Sequence, residues 1–282
     1  MSPGATRPGP GGPGPTPPIG VFDSGLGGLT VLRSIIDLLP DEPLLYFGDT
    51  GRFPYGPKPH DEVRRYALEI ADLLVARDAK LLVVACNSAT AVALDVLRDR
   101  LEIPVLGVIE PGLAAAARAT RTGRVGVIGT VGTIASGAYQ RAADALADPI
   151  DLTCAACPGF VEFVESGDVH SDQVHVLAER LLAPVRAAEV DTLVLGCTHY
   201  PLLARTIGDV MGPDVVLISS ADETAFSVRA LVDAHGLAAP PAPPDAPARH
   251  GFVTSGDTAT FRALGTRFLG PEVDAVEAWS WT

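Results

Sequence analysis

Short apolar runs without polar alternation recur along this 282-residue chain, and each stops abruptly at glycine or at small hydrogen-bonding residues. Residues 19–22 run into Asp23, Ser24 and a glycine turn; residues 81–85 stop at Cys86, Asn87 and Ser88; residues 193–195 stop at Gly196, Cys197, Thr198 and His199. A strand with one wet face alternates with period two, and these runs do not, so they belong to strands buried on both faces. Segments with helical spacing separate them, at 30–39, 61–77, 89–101, 112–120, 136–146, 160–165, 171–186, from 202, at 221–235 and at 258–269. Further strands are expected at 44–47, 104–109, 125–128, 150–153, 215–218, 251–254 and 273–278. Strands alternating with helices give an α/β fold with a parallel sheet covered on both sides.

The pattern also repeats. Setting IGVFDS at 19–24 against VGVIGT at 125–130, and VVACN at 83–87 against LVLGCT at 193–198 with one insertion, gives offsets of about 106 and 110 residues. Two similar halves place Cys86 and Cys197 in equivalent positions. We therefore expect two pseudo-symmetric parallel-sheet α/β domains with the active site in the cleft between them. Residues 19–110 plus 221–282 form the first domain and 111–220 the second. Residues 1–18, mostly Gly and Pro, are expected to be a disordered tail, and the Pro/Ala-rich residues 236–249 a linker.

Composition narrows the function. A chain of this length buries roughly 75% of its unfolded surface without staples. Its net charge of -13 comes with no basic block, which argues against nucleic acid as a partner. No run approaches the ~20 apolar residues of a membrane span, and the start lacks the basic-then-apolar order of a signal peptide, so a cytoplasmic protein is expected. In that compartment Cys86, Cys154, Cys157 and Cys197 are expected to be free thiols. Only Lys58 and Lys80 could form a Schiff base.

Ligands of open parallel sheets sit beyond the carboxyl ends of strands, where loops and helix N-termini converge. The residues at those ends include Asp23-Ser24, Tyr55-Gly56 in the long polar and aromatic loop 48–56, Cys86-Asn87-Ser88, Thr130 to Thr133, and Cys197-Thr198-His199. A cysteine thiol has a pKa of about 8.5, and a helix N-terminus lowers it by at most roughly 1.5 units, so a thiol acting as a base needs a further partner. Asp23 and His199 are the nearest candidates. Each also has a plain structural reading, Asp23 as a helix cap and His199 as a packed loop side chain, just as either cysteine could be a small core residue. The lone C-x-x-C of Cys154 and Cys157 reads as structural rather than as a zinc or redox site. The turn Gly25 to Gly28 departs from the dinucleotide pattern and suits a small carboxylate held by backbone N–H groups.

Seven ordered blocks between residues 19 and 278 resemble the cofactor-independent glutamate racemases of the aspartate/glutamate racemase superfamily: GVFDSGLGGLTV, YFGDTGRFPYG, VVACNSATA, GVIEPG, GVIGTVGTIASGAY, CPGFVEFVESG and VLGCTHYPLL. The resemblance implies that Cys86 and Cys197 are two bases on opposite faces of the α-carbon of glutamate, with Asp23, Glu165 and His199 assisting. It implies substrate contacts from Asp23, Ser24, Tyr55, Gly56, Asn87, Ser88, Thr130, Thr133, Thr198 and His199. It implies no pyridoxal phosphate, other cofactor or metal, a role in supplying D-glutamate for cell-wall peptidoglycan, and leaves a homodimer open. Aspartate or hydantoin racemisation, or amino-acid binding without catalysis, are the alternatives on the same scaffold. Three positions differ from the commoner pattern: Ser88 replaces threonine, Gly51 replaces alanine, and Glu162 stands where an apolar residue or proline is usual.

Overall fold

A computed structural model describes residues 16–242 and 248–281. The expected tail lies outside the described residues except for 16–18, as does the middle of the expected linker. The chain runs β1 (Ile19–Asp23), α1 (Leu29–Leu38), β2 (Leu44–Gly48), α2 (His60–Val75), β3 (Leu81–Val84), α3 (Asn87–Arg100) and β4 (Val105–Gly107). There follow α4 (Ile109–Ala119), β5 (Arg124–Gly129), α5 (Val131–Ala135), α6 (Ala138–Asp144), β6 (Asp151–Ala156) and α7 (Phe160–Ser166). Next come α8 (Asp172–Leu181), α9 (Ala183–Ala187), β7 (Thr192–Gly196), α10 (Ala204–Met211) and β8 (Val216–Ser219). The remainder is α11 (Ser220–Ala234), β9 (Gly251–Thr254), α12 (Thr258–Leu269) and β10 (Glu277–Ala278).

Two all-parallel sheets result. One has the order β10-β9-β2-β1-β3-β4 and the other β6-β5-β7-β8. The strands β1, β3 and β7 are buried along their whole length, which is why their sequences carry no alternation. Each sheet is covered on both faces. Ile19, Val21, Leu81 and Val83 pack under α1 and α11, while Phe22, Leu82 and Val84 face α2 and α3. In the other sheet Leu193 and Leu195 turn toward α7 and α8, and Val125, Val127 and Val194 toward α4 and α6. Cutting any of these buried leucines to alanine would cost about 2–5 kcal/mol.

The order β2-β1-β3-β4 matches β6-β5-β7-β8, so the internal repeat is a repeat of structure. Ile19 pairs with Leu81 and Val125 pairs with Thr192, and each cysteine stands five positions beyond the second member of its pair. The strand register thus makes Cys86 and Cys197 equivalent without the insertion that the sequence comparison required. The last two strands, β9 and β10, extend the first sheet beyond β2, although the segment after α12 is a strand only over its final two residues.

Several boundaries moved for local reasons. Helix α3 begins at Asn87, two residues before the expected start, which leaves Cys86 as its N-cap. Helix α4 begins at Ile109 and shortens β4. The expected helix at 136–146 is α6, which starts at Ala138, and a further short helix, α5, precedes it in place of the hydroxyl-rich turn expected at 129–133; Gly137, whose φ of 69° lies in the left-handed region open to glycine, separates the two. Thr133 accordingly lies in α5. The expected helix at 171–186 also divides, since Pro184 at the start of α9 has no N–H to continue α8.

Candidate functional site

The carboxyl ends of β1, β3, β5 and β7 converge on one cavity of about 100 Å³, bounded by Ser24, Cys86, Asn87, Ser88, Thr130, Cys197, Thr198 and His199. Drug-sized pockets are roughly 300–1,000 Å³, so this one suits a small metabolite. Both thiols are buried, at 5% and 7% exposure, and both line it. The loop after β2 supplies Tyr55 and Gly56 to the same wall.

Each thiol has its own polar partner. Cys86 Sγ donates to Ser24 Oγ at 3.8 Å, and Ser24 Oγ donates to Asp23 Oδ1 at 3.3 Å. The fully buried Asp23 also accepts from Gly25 N–H at 2.8 Å and from the Thr198 hydroxyl at 3.1 Å. Burial raises its pKa against the pull of the His199 charge and of those hydrogen bonds. Burial, and then the neighbouring Asp23, push Cys86 up to about 12. On the other side, Cys197 Sγ lies 4.0 Å from His199 Nδ1, and His199 Nε2 lies 3.0 Å from Glu165 Oε1. Burial opposes protonation of His199, but Cys197 and Glu165 outweigh it and bring the pKa up to about 10, so the imidazole is a cation at neutral pH. A cation at Nε2 donates to Glu165. The His199 ring is held between Phe53 at 5.9 Å and Phe268 at 6.3 Å.

The polar end of the cavity is built from hydroxyls and an amide. Ser88, Thr130 and Thr133 form a triangle of hydrogen bonds at 2.9–3.1 Å. Tyr139, kept neutral by burial, donates to Asn87 Oδ1 at 2.9 Å. The other amide atom, Asn87 Nδ2, is a buried donor with no protein partner at the cavity wall. An unmatched buried donor costs about 1–3 kcal/mol, which a bound carboxylate oxygen would offset. Neither lysine nor arginine lines the cavity, so an acidic ligand there is held by neutral donors and His199. Gly132 N–H donates to Gly56 O at 2.9 Å and Gly132 O faces His60 Nε2 at 3.0 Å, which joins the loop after β2 to the second sheet.

Ten of the thirteen expected site residues line the cavity. Asp23, Thr133 and Glu165 stand one layer back, behind Ser24 and Thr198, behind Ser88 and Thr130, and behind His199 respectively. Sequence reasoning missed part of the wall. Cys157, read as structural, is buried and lines the cavity beside Pro158 and Gly159. The expected strand stopped at 153, whereas β6 continues to Ala156, so the turn at Cys157 is one more strand end. Its thiol is pushed up to about 12 by burial and then by Cys197. Glu162 and Tyr200 were missed as well. Among the described residues no cluster of three or more His, Cys, Asp or Glu side chains has the arrangement of a metal site.

Known proteins share this architecture. A glutamate racemase from Acidothermus cellulolyticus is 54% identical over 259 residues, covering 92% of this chain and 97% of the relative. A crystal structure of a glutamate racemase isoform from Bacillus anthracis matches with a TM-score of 0.87 at 40% identity, covering 94% of this chain and 97% of that one. A glutamate racemase from Francisella tularensis, solved in complex with D-glutamate, matches with a TM-score of 0.86 at 32% identity, covering 94% of this chain and 98% of that one. The model of the Asp/Glu/Hydantoin racemase family matches residues 19–227. With that match and a relative 54% identical along almost its whole length, this chain belongs to the Asp/Glu/hydantoin racemase family.

Proposed function

We propose that this protein is an amino-acid racemase that interconverts L- and D-glutamate with Cys86 and Cys197 as two bases on opposite sides of the α-carbon. The observation that carries the reading is the pair of thiols at equivalent register positions of two repeated sheets, both lining one small cavity. Inverting one carbon requires a proton to leave one face and another to arrive on the opposite face.

The two thiols have opposite helpers. Cys86 holds its proton at neutral pH, so in one direction it delivers that proton to the carbanion while Cys197 takes the α-proton beside His199. In the other direction Cys86 must first lose its proton. With its pKa near 12, ionising it at pH 7 costs about 7 kcal/mol, a large part of the roughly 16 kcal/mol that a turnover of ~10 per second allows. Asp23 acts as the acceptor, reached through Ser24, and its raised pKa makes it a better base than an ordinary carboxylate. His199, held in place by Glu165, serves Cys197 as the acid that returns a proton. Asn87 Nδ2, the Ser88 and Thr130 hydroxyls and the Tyr55-Gly56 loop hold the substrate carboxylates. The two sheets are read as two domains, 19–110 with 221–282 and 111–220, enclosing the substrate. The cellular role inferred is supply of D-glutamate for peptidoglycan in the cytoplasm; among the described residues no helix is long and apolar enough to cross a membrane.

Purified protein incubated with D-glutamate in D2O, with no cofactor added, should lose optical rotation and gain deuterium at the α-carbon. No α-exchange would overturn the enzyme reading. Exchange with aspartate but not glutamate would replace the substrate.

A further inference from the structure

The loop after β2 that closes one wall of the cavity is held from behind by residues more than two hundred positions away. Asp49 is fully buried, and its carboxylate accepts hydrogen bonds from four side chains: the Tyr55 hydroxyl, Arg52 Nε at 2.7 Å, Ser255 Oγ at 2.6 Å and Trp281 Nε1 at 3.0 Å. The Trp281 ring also stacks on the Arg52 guanidinium at 3.8 Å, with Tyr66 on it at 3.9 Å, and leans on Phe47 at 5.5 Å. The front of the same loop presents Phe53, Tyr55 and Gly56 to the cavity, and Phe53 supports the His199 ring.

A carboxylate with four donors holds its partners in fixed directions, and two of those partners are loop residues. Resting on the glutamate racemase reading, we propose that Trp281 is a positioning residue for substrate binding: through Asp49 and Arg52 it sets the shape of the loop that carries Tyr55 and Gly56. Its hydrogen bond and ring contacts go to Asp49, Arg52, Phe47 and Trp279, none of which lies in either thiol loop. Its loss therefore weakens binding more than it slows proton transfer.

The test uses the full chain with Trp281→Ala, Trp281→Phe, which keeps a ring but lacks the N–H, and Glu277→Ala, which breaks the exposed Arg77–Glu277 pair on the same segment. Racemisation kinetics and amide hydrogen exchange of residues 49–58 are measured on each. Trp281→Ala should raise KM roughly tenfold with kcat changed by no more than about twofold, Trp281→Phe should raise KM roughly threefold, and Glu277→Ala should match the parent. Exchange at 49–58 should accelerate in the same order while the rest of the chain keeps its protection. A parent-like KM and parent-like 49–58 exchange in Trp281→Ala would overturn the proposal. So would a fall in kcat alone, or acceleration spread evenly over the chain. If the parent does not racemise glutamate, the functional reading fails by itself, and the exchange pattern still decides whether Trp281 holds the loop.

Discussion

Thr198 donates its hydroxyl to Asp23 Oδ2 at 3.1 Å, so the loop that carries Cys197 is tied to the carboxylate that reaches Cys86 through Ser24. The polar partners of the two thiols are thereby joined in one buried network. Its two sides differ in chemistry, with the Asp23 carboxyl reaching Cys86 through Ser24 and the His199 imidazole, paired with Glu165, beside Cys197.

Asp23→Asn should trade activity for stability. Burial raises the Asp23 pKa above 3.8, so the folded state penalises the ionised form. That penalty is absent well below pH 3.8 and grows as pH rises through the folded-state value. The variant should melt higher than the parent near neutral pH, with the gain vanishing on acidification, while turnover falls by about 10²-fold or more. Paired melting curves and racemisation assays across pH check both parts. A variant less stable at neutral pH would contradict the burial argument.

His199 gives the opposite sign. Its folded pKa of about 10 exceeds the ordinary 6.5, so its contribution to stability is complete below pH 6.5 and is lost as pH rises through 10. The melting temperature of the parent minus that of His199→Asn should shrink steadily over that range. A gap independent of pH would show that the imidazole is not held as a cation.

Glu165→Gln keeps the shape of the His199 partner and removes its charge. We expect the His199 imidazole to titrate at a lower pH, measured by NMR of the ring, and racemisation to slow about tenfold or more. An unchanged titration would remove Glu165 from the network.

Much of this arrangement was legible in the chain because it depends on local pattern. The strands before Cys86 and Cys197 are buried on both faces, so they read as unbroken apolar runs whose ends are easy to see. What local pattern does not carry is depth. Asp23 and Thr133 stand among the same polar residues as Ser24 and Thr130, yet lie a layer behind them, and only long-range contacts such as Thr198 on Asp23 and Ser88 on Thr133 decide that. Cys157 was hidden by a strand end misplaced by three residues. The contact between Asp49 and Trp281 joins positions 232 residues apart and leaves no periodic trace.

Gly132→Ala tests the closure of the cavity. A Cβ at this position would stand 2.7 Å from Gly56 O, too close for the backbone hydrogen bond that joins the two. The substitution should cost about 1–3 kcal/mol of stability in denaturant unfolding and raise KM. An unaffected KM would mean that the junction of Gly56 and Gly132 does not shape the substrate site.

The most direct test of two bases is the isotope content of each enantiomer early in the reaction. Starting from protiated L-glutamate in D2O, the first D-glutamate formed should carry solvent deuterium at the α-carbon while the remaining L-glutamate carries none, because the thiol that gives the proton is not the one that took it. Early D-glutamate that retains the original protium, or L-glutamate that gains deuterium before any D-isomer appears, would contradict the assignment of separate roles to Cys86 and Cys197.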